Sequence, residues 1–270
     1  MKIALVNLTK LNDYAKRKSY QNDMQFLTEN HIDYVDYCSG REDFDTLLEG
    51  FHEAIKNPEI DLVWFVQGGT TLIKYLRDID WELVARTKKK YLGLSDFTHF
   101  SFKAVTVGCE CYYGAGLADI TKYFPTADQK SHITNFLLDG TIEAYEAKHV
   151  TSEKEVNVAS ENIIGGHLII STYMLSQENI DLSKAFLFLE HHNIPGEDFI
   201  DLEYYVDQLK YVIGTNQPKG FILGHSMLFE ENGEMMDYQK INIFLSDRLS
   251  VYNKPIYQID HFKKIVKFSI

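Results

Sequence analysis

Short apolar runs alternate with longer amphipathic stretches over the first 125 residues, and the alternation is that of strands followed by helices. Residues 2–7, KIALVN, read as a buried strand of parallel type, and the polar stretch from Asn12 to Asn30 is compatible with a helix. His31 to Tyr37 reads as a second strand. Phe44, Leu47, Leu48, Phe51 and Ile55 then recur at helical spacing, which predicts an amphipathic helix over Phe44 to Lys56. Leu62 to Val66 form a third apolar run, broken by Gly68-Gly69 before a helix running toward Leu76. Ile79 to Thr87 predicts a short helix, Tyr91 to Leu94 a strand, and Phe97 to Phe100 the start of another helix. This order predicts an α/β fold, with a parallel sheet covered by helices.

The pattern changes after Pro125. Residues 126–160 are mostly polar, with an apolar patch only at Phe136 to Leu138, and read as a junction between an N-terminal domain, 1–125, and a C-terminal domain, 161–270. The second domain restarts at Ile163, where an apolar run is interrupted by Gly165-Gly166 and continues as a helix to Leu175. Ala185 to Glu190 is a buried strand ending in a carboxylate. Asp201 to Val212 has a helical period, Gly220 to Leu223 is a short strand, Ile241 to Leu249 a helix, and Pro255 to Ile259 a last strand with His261 just beyond it.

The strand, turn and helix around Ser95 carry the first candidate chemistry. In YLGLSDFT, 91–98, a serine follows Gly93 by two positions and precedes a helix start, so its hydroxyl projects from a tight turn near helix N–H groups. The hydrolase pattern Gly-x-Ser-x-Gly is incomplete, because Phe97 stands at the second glycine. Taken alone, Ser95 or Asp96 could equally be a helix cap. A serine nucleophile needs a base and a group that orients the base. Glu190 and His261 stand at strand ends, where α/β folds expose functional groups. The amide of Asp96 and a second from the Gly68-Gly69 pair would serve a developing oxyanion, although a glycine pair is also an ordinary turn.

Composition narrows the partners. With 39 acidic against 27 basic residues and a net charge of −12, nucleic acid and anionic membrane are poor partners, and a small molecule or peptide is expected. No stretch approaches the roughly 20 apolar residues of a membrane span, and the N-terminal apolar run is too short for a signal peptide. The lysine run at Lys88 to Lys90 reads as a solvated face. Cys38, Cys109 and Cys111 make no even framework, and Cys109-Glu110-Cys111 lacks the second pair of a zinc site. His191 and His192 point to opposite faces of an extended segment. Reduced thiols, a cytoplasmic location and no metal or other cofactor are expected.

Four segments, FVQGGTTLIKYLRDIDWE (65–82), GLSDFTHF (93–100), IIGGHLIIS (163–171) and AFLFLEHHN (185–193), with PIYQIDHF (255–262) more loosely, together resemble the LD-carboxypeptidases and the related microcin C immunity peptidases. That resemblance implies cytoplasmic serine peptidases, usually homodimers, with an N-terminal α/β domain and a smaller C-terminal domain. It puts the nucleophile on Ser95, the orienting carboxylate on Glu190, the base on His261, and the oxyanion donors on Gly69 and Asp96. It also implies an amide substrate, either a murein-derived peptide or a microcin-like peptide-nucleotide. The family's Gly-His pair is Asp260-His261 here, so His225 in ILGHS competes for the base. His191 replaces an acidic residue, and VNLTKL at 6–11 replaces a Pro-Ser-bearing motif. These departures leave open a non-catalytic protein that binds a peptide or nucleotide on the same fold, and an esterase of the α/β-hydrolase class is a third reading.

Overall fold

The computed structural model describes residues 1–123, 127–142, 146–150, 155–192, 199–226, 238–259 and 265–270. Its strands are β1 (Lys2–Val6), β2 (Asp33–Asp36), β3 (Leu62–Phe65), β4 (Lys90–Gly93), β5 (Glu110–Tyr113), β6 (Glu146–His149), β7 (Glu155–Asn157), β8 (Ile163–His167), β9 (Phe186–Glu190), β10 (Gly220–Leu223), β11 (Ile256–Gln258) and β12 (Val266–Phe268). The helices are α1 (Tyr20–Glu29), α2 (Phe44–Lys56), α3 (Leu72–Tyr75), α4 (Trp81–Thr87), α5 (Thr98–Thr106), α6 (Leu117–Tyr123), α7 (Ala127–Asp139), α8 (Leu168–Gln177), α9 (Phe199–Ile213) and α10 (Tyr238–Leu249). The chain divides into two compact units, Met1–Glu143 with Phe262–Lys267, and Ala144–His261 with Phe268–Ile270. No helix among the described residues is long and apolar enough to cross a membrane.

The first unit is built on a six-stranded sheet of order β12-β5-β4-β3-β1-β2. Strands β2, β1, β3, β4 and β5 are mutually parallel, so the connections after β1, β3 and β4 emerge at one edge. Continuous burial of LVWF in β3 shows why that run carries no alternation, since both of its faces are covered. Helix α2 covers one face. Asp43 caps it by accepting from the Thr46 amide, and Leu47, Phe51, Ala54 and Ile55 are buried. Phe51, Phe65, Phe97 and Phe100 form one aromatic cluster, with ring centroids 4.9 Å apart for Phe65–Phe97 and 5.7 Å for Phe51–Phe100. Part of the stretch from Asn12 to Asn30 is a 3-10 turn at Tyr14–Lys16, and the α-helix begins only at Tyr20.

The second unit holds a sheet of order β7-β6-β11-β10-β9-β8. Strands β8 to β11 are parallel, while β6 pairs antiparallel with both β11 and β7. The described residues within 126–160 therefore form more regular structure than their polarity predicts. They supply α7 and the hairpin-like pair β6 and β7 at the sheet's edge, where exposed side chains are compatible with a strand. Gly165 and Gly166 do not end a strand but lie inside β8, with φ of 145° and 137°. A Cβ on Gly165 would stand 1.9 Å from the carbonyl oxygen of Phe188. Here glycine allows close approach of neighbouring backbone, not a break.

Candidate active site

Ser95 follows β4 and opens a 3-10 turn, Ser95–Phe97, that runs directly into α5. Its φ of 58° is left-handed, a conformation that costs a non-glycine residue on the order of 1–2 kcal/mol. Local packing sustains that strain. Gly93 has no room for a side chain, since a Cβ there would lie 2.4 Å from Cγ of Phe97, and Phe97 is fully buried in the aromatic cluster. Phe97 at the position of the template's second glycine is thus an anchor for the turn. The Ser95 amide donates to the Tyr113 hydroxyl at 2.8 Å, and the Ser95 carbonyl accepts from Thr98 Oγ1 at 2.6 Å. Between Tyr91 and Phe100 only Ser95 is not buried. Its own amide is taken by Tyr113. The Asp96 amide lies at the start of the turn, where an intrahelical acceptor does not exist.

The loop after β3 packs on this turn. A Cβ on Gly68 would stand 3.2 Å from Ser95 Cβ and 3.7 Å from its Oγ. On Gly69 it would stand 1.7 Å from the Thr9 carbonyl oxygen, which itself accepts from the amides of Thr70 and Thr71 at 2.9 and 3.2 Å. The Asp96 carboxylate joins the two connections. It accepts from the Leu72 amide at 2.9 Å and lies 2.9 Å from His99 Nδ1. Thr9 Oγ1 donates to the Gln67 carbonyl at 2.6 Å, and the Gln67 side-chain amide donates to Asn7 and Asn12. VNLTKL therefore braces the glycine loop through Asn7 and Thr9. This bracing is not readable from spacing, because it joins residues about 60 positions apart whose contact depends on β1 lying beside β3.

In the second unit, Glu190 ends β9 fully buried, and its register partner on β8 is His167. Glu190 Oε2 lies 3.0 Å from His192 Nε2, and His167 Nε2 lies 3.2 Å from the His192 carbonyl. His191 is turned into the interior, with its ring centroid 5.0 Å from that of His167 and 5.6 Å from that of Tyr205. Burial, aided by His167, lowers its pKa to about 3, so the imidazole is neutral. His225 follows β10, the strand beside β9, and is half-buried. His261 and Asp260 lie outside the described residues. The structure brings Gly68, Ser95 and Asp96 together in one unit and Glu190 with His192 in the other. No group of three or more His, Cys, Asp or Glu among the described residues is arranged to hold a metal ion.

Ser95 thus stands part-exposed and left-handed where a parallel strand hands the chain to a helix. Residues 7–114 match the LD-carboxypeptidase N-terminal domain family. The whole chain shares its fold with a muramoyltetrapeptide carboxypeptidase from Oxalobacter formigenes, at 21% identity and a TM-score of 0.78, covering 100% of this chain and 93% of that one. It is similarly related to the microcin C7 self immunity protein MccF in complex with aspartyl sulfamoyl adenosine, at 17% identity and a TM-score of 0.72, covering 100% and 96%. An MccF-like protein from Bacillus anthracis aligns at 15% identity and 0.72, covering 99% and 89%. No curated protein matches the chain.

Proposed function

We propose that this protein is a serine hydrolase of the LD-carboxypeptidase type. Ser95 attacks an amide carbonyl, His261 takes the serine proton, Glu190 orients that histidine, and the amides of Gly69 and Asp96 receive the oxyanion. His261 then gives the proton to the departing amine as the C–N bond breaks, and a water that His261 deprotonates hydrolyses the acyl-enzyme and frees Ser95. The observation that carries this reading is the left-handed Ser95, since a strain that nothing in a mere helix cap requires is held by Tyr113, Thr98 and Phe97. His191 does not weaken it, because a buried neutral imidazole leaves Glu190 without a second acid to raise its proton affinity.

The substrate class is a peptide with an L,D amide from murein, or a peptide-nucleotide conjugate of the microcin kind. The reading carries with it a cytoplasmic homodimer. The test is intact mass after exposure to a reactive fluorophosphonate, together with turnover of murein tetrapeptide. One adduct that is lost in Ser95→Ala, and hydrolysis that disappears with it, are expected. Absence of both would leave the second reading, a protein that binds a peptide or nucleotide without cleaving it, which the change from Gly to Asp260 before His261 favours.

A further inference from the structure

The connections after β1 and β3 bring a cation to the edge of the sheet that carries Ser95. Arg17 lies in the β1 connection, between the 3-10 turn and α1, and is half-buried. Its Nη1 donates to Gln67 Oε1, and its guanidinium carbon stands 5.7 Å from the centroid of the Tyr14 ring. Both supports are themselves fixed. Tyr14 is fully buried and donates to Asp23 Oδ2 at 2.7 Å, while the Gln67 amide donates to Asn7 Oδ1 at 3.0 Å and Asn12 Oδ1 at 2.9 Å. Gln67 is the chain neighbour of Gly68, whose backbone lies against the Ser95 side chain.

The electrostatics of Arg17 are unlike those of the other half-buried arginines. Arg41 pairs with Glu49 and Glu53, and Arg248 with Asp247 and Glu203. Arg17 is held by a neutral amide and an aromatic face, and among the described residues it pairs with no carboxylate. Part-burying a cation without an anion costs free energy, so such a group is expected where a ligand supplies the anion. Of the five N–H donors of a guanidinium, one is given to Gln67, which leaves a fork suited to a bidentate oxyanion.

We infer that Arg17 is the specificity residue that receives the free terminal carboxylate of the substrate. The inference rests on the peptidase reading for its location and commits the substrate to one anionic end. A carboxypeptidase must recognise a carboxylate on the one residue beyond the scissile carbonyl, whose Cα lies about 3.8 Å from the Cα before the scissile bond. A carboxylate there completes the charge on Arg17, and the Tyr14 and Gln67 supports set the fork before binding, which limits the ordering cost.

The experiment measures binding apart from turnover. The full chain carrying Ser95→Ala is titrated with murein tetrapeptide ending in a free carboxylate, and with the same peptide ending in a carboxamide. With Arg17 present the acid form should bind at least about tenfold tighter than the amide. Adding Arg17→Met should abolish that preference while leaving affinity for the amide form unchanged, which also shows that the variant is folded. Arg17→Lys should restore part of the preference, since it returns charge without the fork. Equal affinities in the Arg17 protein, no binding of either peptide, or a preference that survives Arg17→Met would each overturn the inference. Hydrolysis by the unaltered protein is followed in parallel. An Arg17-dependent preference without hydrolysis sinks the peptidase reading alone, and hydrolysis without that preference sinks only the role of Arg17.

Discussion

Two adjacent glycines near Ser95 fail in different ways when given a methyl group. On Gly69 the new Cβ would meet backbone, the Thr9 carbonyl oxygen at 1.7 Å, and that oxygen is fixed by the amides of Thr70 and Thr71. Gly69→Ala should therefore destabilise the protein by about 3 kcal/mol, read as a shift in the denaturant midpoint. On Gly68 the Cβ would meet the Ser95 side chain at 3.2 Å, where a shift of a few tenths of an ångström is enough. Gly68→Ala should change stability by less than about 1 kcal/mol yet slow fluorophosphonate labelling of Ser95 at least about tenfold, because the Ser95 side chain is displaced. Equal losses in the two variants would contradict this division. Tyr113→Phe removes the acceptor of the Ser95 amide and should cost about 1–2 kcal/mol, with slower labelling, measured on the same samples. The serine, the glycine pair and the carboxylate at a strand end are legible in sequence because each is a local motif. Tyr113, Thr9 and Arg17 are not, because their roles depend on which strands become neighbours.

At the scale of elements, glycine again separates two physical causes. Gly165 sits inside β8 with φ of 145°, and a Cβ there would be 1.9 Å from the Phe188 carbonyl oxygen on β9. Gly214, with φ of 49°, ends α9 in nearly open space, its nearest neighbour being the Tyr211 carbonyl oxygen at 3.7 Å. Gly165→Ala should prise β8 from β9 and destabilise by about 3 kcal/mol or more, whereas Gly214→Ala should cost only about 1 kcal/mol, the penalty of a left-handed alanine. Thermal melts of the two variants decide, and similar shifts would show that conformation, not backbone approach, requires Gly165. The same contrast explains why the Ile163–Ile170 run reads as a strand broken by glycine. A sequence displays the missing side chain but not the neighbouring carbonyl that needs its absence. Buried runs such as LVWF are legible because burial on both faces leaves no polar position, while the edge strand β7 and its neighbour β6 carry polar side chains that imitate a linker.

For the molecule as a whole, acid should act on the two units to different extents. His191 lies in the second unit, buried to 1% exposure, with a pKa lowered from 6.5 to about 3. Between those values the unfolded chain binds a proton that the folded one does not. The stability contributed by keeping His191 neutral is thus fully present above 6.5 and is lost as the pH falls toward about 3, at up to about 1.4 kcal/mol per pH unit. In the first unit burial also lowers His52, which accepts from the Asp80 amide, so that unit too gives up some stability below 6.5, while its shifted carboxyl groups have lowered values. Asp36, although burial raises it, is brought down by Ser39 and the amides of Cys38 and Ser39, and Glu110 is brought down by Lys267. Their contribution is present above their ordinary values of 3.8 and 4.5 and is lost only below them. Both tryptophans, Trp64 and Trp81, and all three cysteines lie in the first unit, so they report on it selectively. Burial raises the thiols, Cys109 to about 11 and Cys38 and Cys111 well above their ordinary range, which keeps them unreactive while that unit is folded. On lowering the pH from 6.5 to about 4.5, hydrogen exchange in β8 and β9 should accelerate more steeply than tryptophan emission shifts or the thiols become exposed, because the lowering of His191 is the larger of the two histidine shifts. His191→Gln should flatten the pH dependence of that exchange, whatever its effect on absolute stability. Coincident changes in all three signals, or an unchanged slope in His191→Gln, would show that the neutral histidine does not govern the acid response.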